Sequence, residues 1–263
     1  MQNYSYGICS LSVVPVRTEP SDKAELGSQL LFGDVFTITG RSEDGKWVSI
    51  VQLQDEYKGW IDVKQYEEVG PEYYSEYKKL TWPVVNDMIG LVQGAGKVFP
   101  ILMGSSLPFF YEEKVIIGKN ILKYTGEVSL VAPNPDFGLI ERNSRLFIGA
   151  PYLWGGKTHF GIDCSGFVQQ VLKMSGYKIP RDAYLQAEAG IKVDKNEARP
   201  GDLAFFHNAH GKIFHVGILL SNQHIIHASG EVRIDIFDET GIFNPQKQSY
   251  THKLASIVRI LGV

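Results

Sequence analysis

The stretch Gly161-Ile162-Asp163-Cys164-Ser165-Gly166-Phe167-Val168 decides the reading of this chain. Phe167, Val168, Val171, Leu172 and Met174 recur at helical spacing, which predicts a helix over residues 164–175 with one apolar face. Asp163 suits its N-cap, and Gly176 the position just past its C-terminus. Cys164 then falls in the first turn, where unpaired N–H groups and the positive end of the helix dipole favour a thiolate. A lowered thiol pKa makes a cysteine nucleophilic, and the N–H groups of that turn can hold an oxyanion. A lone cysteine on an amphipathic helix is ordinarily a core residue. The glycines at 155, 156 and 161, which let a substrate approach the backbone, argue against that here, as do the histidines downstream.

A thiolate needs a base, and the base needs an orienting group. Taking Ser221-Asn222-Gln223 as a three-residue hairpin loop pairs Leu220 with His224 and Gly217 with His227. His215 and His227 then stand diagonally across two strands and share a face. Phe214, Val216, Ile218 and Leu220 form the opposite, apolar face, expected as core, and Gly217 leaves room for a packing helix on the histidine side. A two-residue loop would turn His227 away, because a one-residue shift exchanges the faces. His207-x-x-His210 lies in a loop-like segment. There is no His-Glu-x-x-His and no clustered cysteine pair, so no metal site is expected. His159 reads as a loop residue, and His224 and His252 as structural or exposed.

Strand-like runs at 203–206, 215–220, 224–228, 233–237 and 256–260 follow the helix, an α+β pattern. Residues 1–70 hold short runs at 12–16, 29–32, 35–39, 46–51 and 59–62, with a hairpin signal at Asp44-Gly45; they predict a small barrel or sandwich. Residues 71–79 are charged and Tyr-rich and read as a connector. Runs at 81–85, 96–103, 107–111, 115–117, 120–124 and 128–131 suggest a second small β unit, and Pro133-Asn134-Pro135 marks a boundary. The expected domains are 1–70, 75–132 and 137–263.

Composition bounds the function. The chain has 263 residues, 44% hydrophobic and 21% charged, which excludes a disordered chain and fits two domains or three small ones. A formal net charge of −3 lacks the basic excess of a nucleic-acid binder. No run reaches the ~20 apolar residues that span a bilayer. Two cysteines are too few for a disulfide scaffold. The residues up to Arg17 show no basic region followed by an apolar one, so a cytoplasmic location is expected.

Five pieces occur in order: Pro151-Tyr152-Leu153-Trp154-Gly155-Gly156, the stretch around Asp163-Cys164, Arg199-Pro200-Gly201-Asp202-Leu203, His215-Val216-Gly217-Ile218 and Ile226-His227-Ala228. Together they resemble the NlpC/p60 family of papain-like cysteine peptidases. The N-terminal strands resemble bacterial SH3 (SH3b) domains, on the segment from Glu25 to Gly33 and on Tyr57-Lys58-Gly59-Trp60. The three-part layout is similar to γ-D-glutamyl-L-diamino acid peptidases that recycle cell-wall peptides.

That resemblance implies a papain-like α+β catalytic domain preceded by one or two small SH3-like β-barrels. Cys164 would be the nucleophile, His215 the base, His227 its orienting residue, and Tyr152 the tyrosine beside the thiolate and the oxyanion. The implied substrate is a murein tripeptide or tetrapeptide with a free L-Ala terminus, cut after D-Glu to release L-Ala-γ-D-Glu. No metal or organic cofactor is implied, and the default state is a monomer. The free α-amino group would be held by Asp163 and Asp182 with Ser165, while Tyr57 and Glu25 reach in from the first SH3b unit. Asp182 could instead cap a helix after Pro180-Arg181, and Glu25 could be an exposed strand charge. The competing readings are a Cys–His acyltransferase or amidase of the same fold, and a wall-remodelling endopeptidase targeted by its SH3b domains. Phe214 departs from relatives, which often carry a polar residue before the base histidine.

Overall fold

The computed structural model describes residues 5–94, 96–129 and 136–260; the boundary expected at Pro133-Asn134-Pro135 and the end of the run expected at 128–131 lie outside the described residues. The chain divides into two compact units, Met1–Ala132 and Pro133–Val263.

In the first unit, β1 (Ser5–Ile8), β2 (Val13–Arg17), β3 (Leu26–Leu31), β4 (Val35–Arg41), β5 (Trp47–Gln52), β6 (Lys58–Asp62) and β7 (Glu67–Val69) form one sheet in the order β3-β2-β6-β5-β4-β1-β7. Its pairings are antiparallel, so alternate side chains face one core, where Val14, Val16, Leu30, Phe36, Val48 and Ile50 are buried. The Asp44-Gly45 turn joins β4 to β5, with Gly45 at a φ of +69°.

The segment expected as a connector is a helix, α1 (Pro71–Lys79). Proline at the first helical position removes an N–H that would have no partner there anyway. Tyr73, Tyr74 and Tyr77 recur on one side, and Tyr74 is buried with its ring 4.0 Å from that of Tyr6. The helical period is carried by tyrosines, which the charged composition masks.

Next come β8 (Val84–Val85), β9 (Ile89–Gly94), β10 (Lys97–Leu102), β11 (Lys114–Ile117), β12 (Asn120–Tyr124) and β13 (Val128–Ser129). Four pair as β10-β9-β12-β11, and β13 pairs with β8. β9 is absent from the sequence expectation because Gly90 and Gly94 dilute its strand character. The run expected at 107–111 is not a strand. Pro108 has no N–H to give a ladder, and Phe109 takes a φ of +54°. Pro100 is tolerated in β10 because that strand lies at the sheet edge. Residues 84–129 keep no separate core, since Val85, Val92, Leu122 and Tyr124 share one cluster with Ile8, Phe32 and Val35.

The second unit begins with α2 (Phe137–Arg145), β14 (Lys157–Thr158), β15 (Gly161–Ile162), α3 (Cys164–Met174) and α4 (Ala183–Gln186). Then follow β16 (Ile191–Val193), β17 (Leu203–His207), β18 (Ile213–Leu219), β19 (His224–Ser229), β20 (Glu231–Phe237), β21 (Gly241–Asn244) and β22 (Ser249–Arg259). Their order is β16-β22-β17-β18-β19-β20-β21, and β22 also pairs with β21, so six strands close on themselves. α3 lies against α2, β14, β18 and β19. Every residue of α3 is buried, including Gln169, Gln170 and Lys173, so the expectation of a single apolar face is corrected: the helix is enclosed on all sides.

Candidate active site

Asp163 organises the start of α3. Its backbone is extended, and its carboxylate accepts the Gly166 N–H at 2.7 Å and the Gly155 N–H at 2.8 Å. The Arg181 guanidinium donates to both its oxygens, at 3.0 and 2.6 Å, and to Ser165 Oγ at 2.9 Å. Arg181 and Asp163 are 2% and 7% exposed at their side chains, so this is a buried, bidentate, charge-assisted pair. The nearby glycines serve the fold: a Cβ on Gly156 would strike the Gly161 carbonyl, and one on Gly166 the Gly156 carbonyl.

Cys164 opens α3 and is 5% exposed. Its thiol meets the Phe214 carbonyl at 4.0 Å and feels the Val216 backbone N–H, so the sulfur lies along the backbone that flanks His215. Burial, followed by the Asp163 charge, pushes the thiol pKa up to about 12, against the pull of the Val216 and Ser165 N–H groups and of Arg181. The lowered thiol pKa expected from the helix terminus is therefore reversed in this state. Desolvation and an adjacent carboxylate outweigh the helix dipole.

Gly217 pairs with His227 and Leu219 with Ile225, and the Leu220 N–H meets the His224 carbonyl at 2.9 Å, as a three-residue loop requires. His215 and His227 thus share a face, and their rings meet with Nε2 of His215 2.8 Å from Nδ1 of His227. A Cβ on Gly217 would meet Ile225 and His227, so cross-strand side chains rather than a helix use that space. Both faces of β18 are buried, because Leu219 on the histidine side is as enclosed as Val216 and Ile218 on the other. Phe214 breaks the pattern. It is 44% exposed, not core, because the register of β18 against β17 shifts between Phe206 and His207.

Two residues of this cluster escaped sequence reasoning. Asp235 on β20 lies 3.1 Å from Nε2 of His227 through Oδ2, and its Oδ1 accepts the Arg233 guanidinium at 2.8 and 3.1 Å. Burial would raise the Asp235 pKa, but the hydrogen bonds from His227 and Arg233 together hold it below its ordinary value. The alternation Arg233-Ile234-Asp235, polar on one side of a strand, is the signal that could have found it. His252 on β22 stacks on His215, with centroids 4.2 Å apart, and on Phe214 at 5.6 Å. Burial, then the neighbouring His227 and His252, hold the His215 pKa well below that of free imidazole. Burial and His227 lower that of His252 to about 4.

Tyr152 is half-buried and joins the Gly230 carbonyl through its N–H at 2.9 Å. Burial, then the charges of Cys164 and Asp163, raise its hydroxyl pKa. Asp182 occupies the N-cap of α4 without a side-chain cap hydrogen bond. Glu25 and Tyr57 belong to the first unit. The Tyr57 hydroxyl stands over Gly27, two residues from Glu25, which is exposed at the entry to β3. Among the described residues no group of three or more His, Cys, Asp or Glu side chains could hold a metal ion.

Residues 149–256 match the NlpC/P60 family, and residues 16–65 match the bacterial dipeptidyl-peptidase SH3 domain. The chain is similar to the γ-D-glutamyl-L-lysine dipeptidyl-peptidase of Bacillus subtilis, 29% identical over 76% of this chain and 71% of that protein. It is also similar to the protein of the same name from Bacillus cereus, 27% identical over 78% of this chain and 67% of that one. A solved NlpC/P60 family protein from Bacillus cereus superposes with a TM-score of 0.81 over 98% of this chain and 100% of that one at 22% identity, a likeness of fold.

Proposed function

This chain belongs to the NlpC/P60 family of cysteine peptidases, with an N-terminal bacterial SH3-like domain, and from that premise we propose that it cleaves murein peptides bearing a free L-Ala terminus after D-Glu, releasing L-Ala-γ-D-Glu. The observation that carries the reading is the sulfur of Cys164 lying along the 214–216 backbone while Nε2 of His215 is held 2.8 Å from His227, which leaves Nδ1 as the nitrogen able to take a proton. The names of the Bacillus relatives support the γ-D-glutamyl bond as the target.

The thiol proton of Cys164 moves to Nδ1 of His215 as the sulfur attacks the γ-glutamyl carbonyl. Burial, which raises the thiol pKa, favours the neutral thiol at rest. The oxyanion is met by the unpaired backbone N–H of Cys164 and by the Tyr152 hydroxyl. The C–N bond breaks as the His215 imidazolium protonates the leaving amine, and a dipeptidyl thioester remains. Water, deprotonated by His215, then attacks the thioester, and the acid leaves as the thiol is restored.

The candidates in this domain for holding the substrate α-ammonium are Asp163 and Ser165, at the start of α3, and Asp182, at the start of α4. Free peptides rather than intact sacculi are the substrates we propose. Incubation with free tripeptide and with sacculi, scored by released dipeptide, tests this. Release from free tripeptide by the native enzyme, lost in a folded Cys164→Ala variant, supports the assignment; full turnover by that variant rejects it.

A further inference from the structure

We propose that Asp235 is a positioning residue that sets the tautomers of both imidazoles, and so determines which nitrogen of His215 is the base. This rests on the assignment of Cys164 and His215 above.

The argument is one of donors and acceptors. Asp235 is buried, and its Oδ1 takes two hydrogen bonds from the Arg233 guanidinium, so it is an ionised carboxylate. An ionised carboxylate only accepts. Oδ2 lies 3.1 Å from Nε2 of His227, so that nitrogen must carry hydrogen. Nδ1 of a neutral His227 is then an acceptor. It lies 2.8 Å from Nε2 of His215, so that nitrogen carries the hydrogen in turn. His215 is left with its lone pair on Nδ1, the nitrogen nearest the ring's own backbone, where the Cys164 sulfur lies. One acidic side chain thus fixes proton placement through two rings. No proton travels along the chain during the reaction; the thiol proton goes to Nδ1 and passes from there to the leaving amine.

The strand register makes this alignment. His227 lies opposite Arg233, and Ile225 opposite Asp235, so Asp235 is the diagonal neighbour of His227 on the same face. The charged and titratable groups around the pair are Cys164 on α3, His252 on β22, Tyr152 ahead of β14, and Arg233 beside Asp235 on β20. Removal of the carboxylate reverses the logic. In Asp235→Asn the amide oxygen is claimed by Arg233, so the amide NH2 faces Nε2 of His227 and needs an acceptor there. The hydrogen of His227 moves to Nδ1, His215 accepts at Nε2, and its own hydrogen moves to Nδ1, the wrong end. A base histidine locked in the wrong tautomer loses most of its catalytic value.

The test begins with the native enzyme. Nitrogen-15 spectra of histidine-labelled protein at neutral pH must show His215 and His227 each neutral and protonated on Nε2. In D235N both hydrogens must shift to Nδ1, and kcat on the tripeptide must fall roughly a hundredfold or more while KM changes little. D235E keeps a carboxylate and must keep the native tautomers and more activity than D235N. A native His215 protonated on Nδ1, a doubly protonated native His227, or D235N with native tautomers and native kcat overturns the proposal. The tautomers are read without substrate, so a failure here is separable from a failure of the peptidase assignment, which Cys164→Ala reports.

Discussion

The imidazole of His252 lies against that of His215, with ring centroids 4.2 Å apart and planes 28° apart. Its Nδ1 is 2.8 Å from Thr251 Oγ1, and the Phe214 ring, 5.6 Å from it and 6.1 Å from His215, completes the aromatic cluster. The base is thus held in the plane set by His227 and covered by an aromatic ring that stays neutral at neutral pH.

His252→Ala is therefore expected to lower kcat by about tenfold, the upper end of what one aromatic stacking contact contributes. His252→Phe, which keeps the ring without the nitrogens, is expected to stay within a few-fold of the native rate. Steady-state kinetics on the tripeptide separates the two. Equal losses in both variants would mean that a nitrogen of His252, not its ring, is what matters.

The same rings make the fold sensitive to acid. Free imidazole titrates near 6.5, whereas His252 is lowered to about 4 and His215 lies well below the free value. As pH falls from 6.5 toward 4, the unfolded chain takes up protons at both positions and the folded chain does not, so the unfolded state is favoured. Unfolding free energy should fall through that window, and more gently in His252→Phe. Urea unfolding at several pH values between 7 and 4.5 checks the sign; a flat profile would contradict it.

Much of this centre is local in the chain and was therefore legible. The Asp163 cap and the Cys164 position follow from one helix start. The pairing of Gly217 with His227 follows from the length of one hairpin loop. Asp235 and His252 were not legible because each meets its partner through strands that only the closed sheet brings together, and Arg181 because it returns to Asp163 only once the chain has turned back after α3. The raised thiol pKa is not legible for the same reason. The helix dipole can be read from the sequence, whereas burial of the sulfur and the Asp163 charge beside it belong to the packed state. In the first unit, α1 and β9 were missed where tyrosines and glycines carry the pattern in place of aliphatic residues.

Asp163 and Arg181 should be strongly coupled. Removing one member of a buried ion pair leaves the other charge uncompensated, at a cost of about 3–5 kcal/mol. Arg181→Ala is expected to show that loss in chemical denaturation. Asp163→Asn keeps a good N-cap and should lose stability mainly through the broken pair. The double variant Asp163→Asn/Arg181→Ala should lose less than the sum of the singles. Additive losses would show that the two side chains act independently despite contacts of 2.6 and 3.0 Å.

Gly217 is the position where a single methyl should damage activity more than folding. An added Cβ would lie 2.8 Å from Cβ of His227 and 2.7 Å from Cδ1 of Ile225. The Ile225 side chain can rotate, but His227 is held at both nitrogens, by His215 at 2.8 Å and by Asp235 at 3.1 Å, and cannot yield without lengthening one of them. Overpacking of this kind costs about 1–3 kcal/mol, a few degrees in Tm for a domain of this size. Gly217→Ala should therefore remain folded and lose at least about tenfold in kcat, because one misplaced ring propagates to the base. Gly40→Ala, whose added Cβ would meet only Ser49 at 3.9 Å, serves as the control and should leave both quantities unchanged. A Gly217→Ala variant with native kcat would show that His227 can shift without displacing His215, and that the cross-strand contact is not what holds the pair in register.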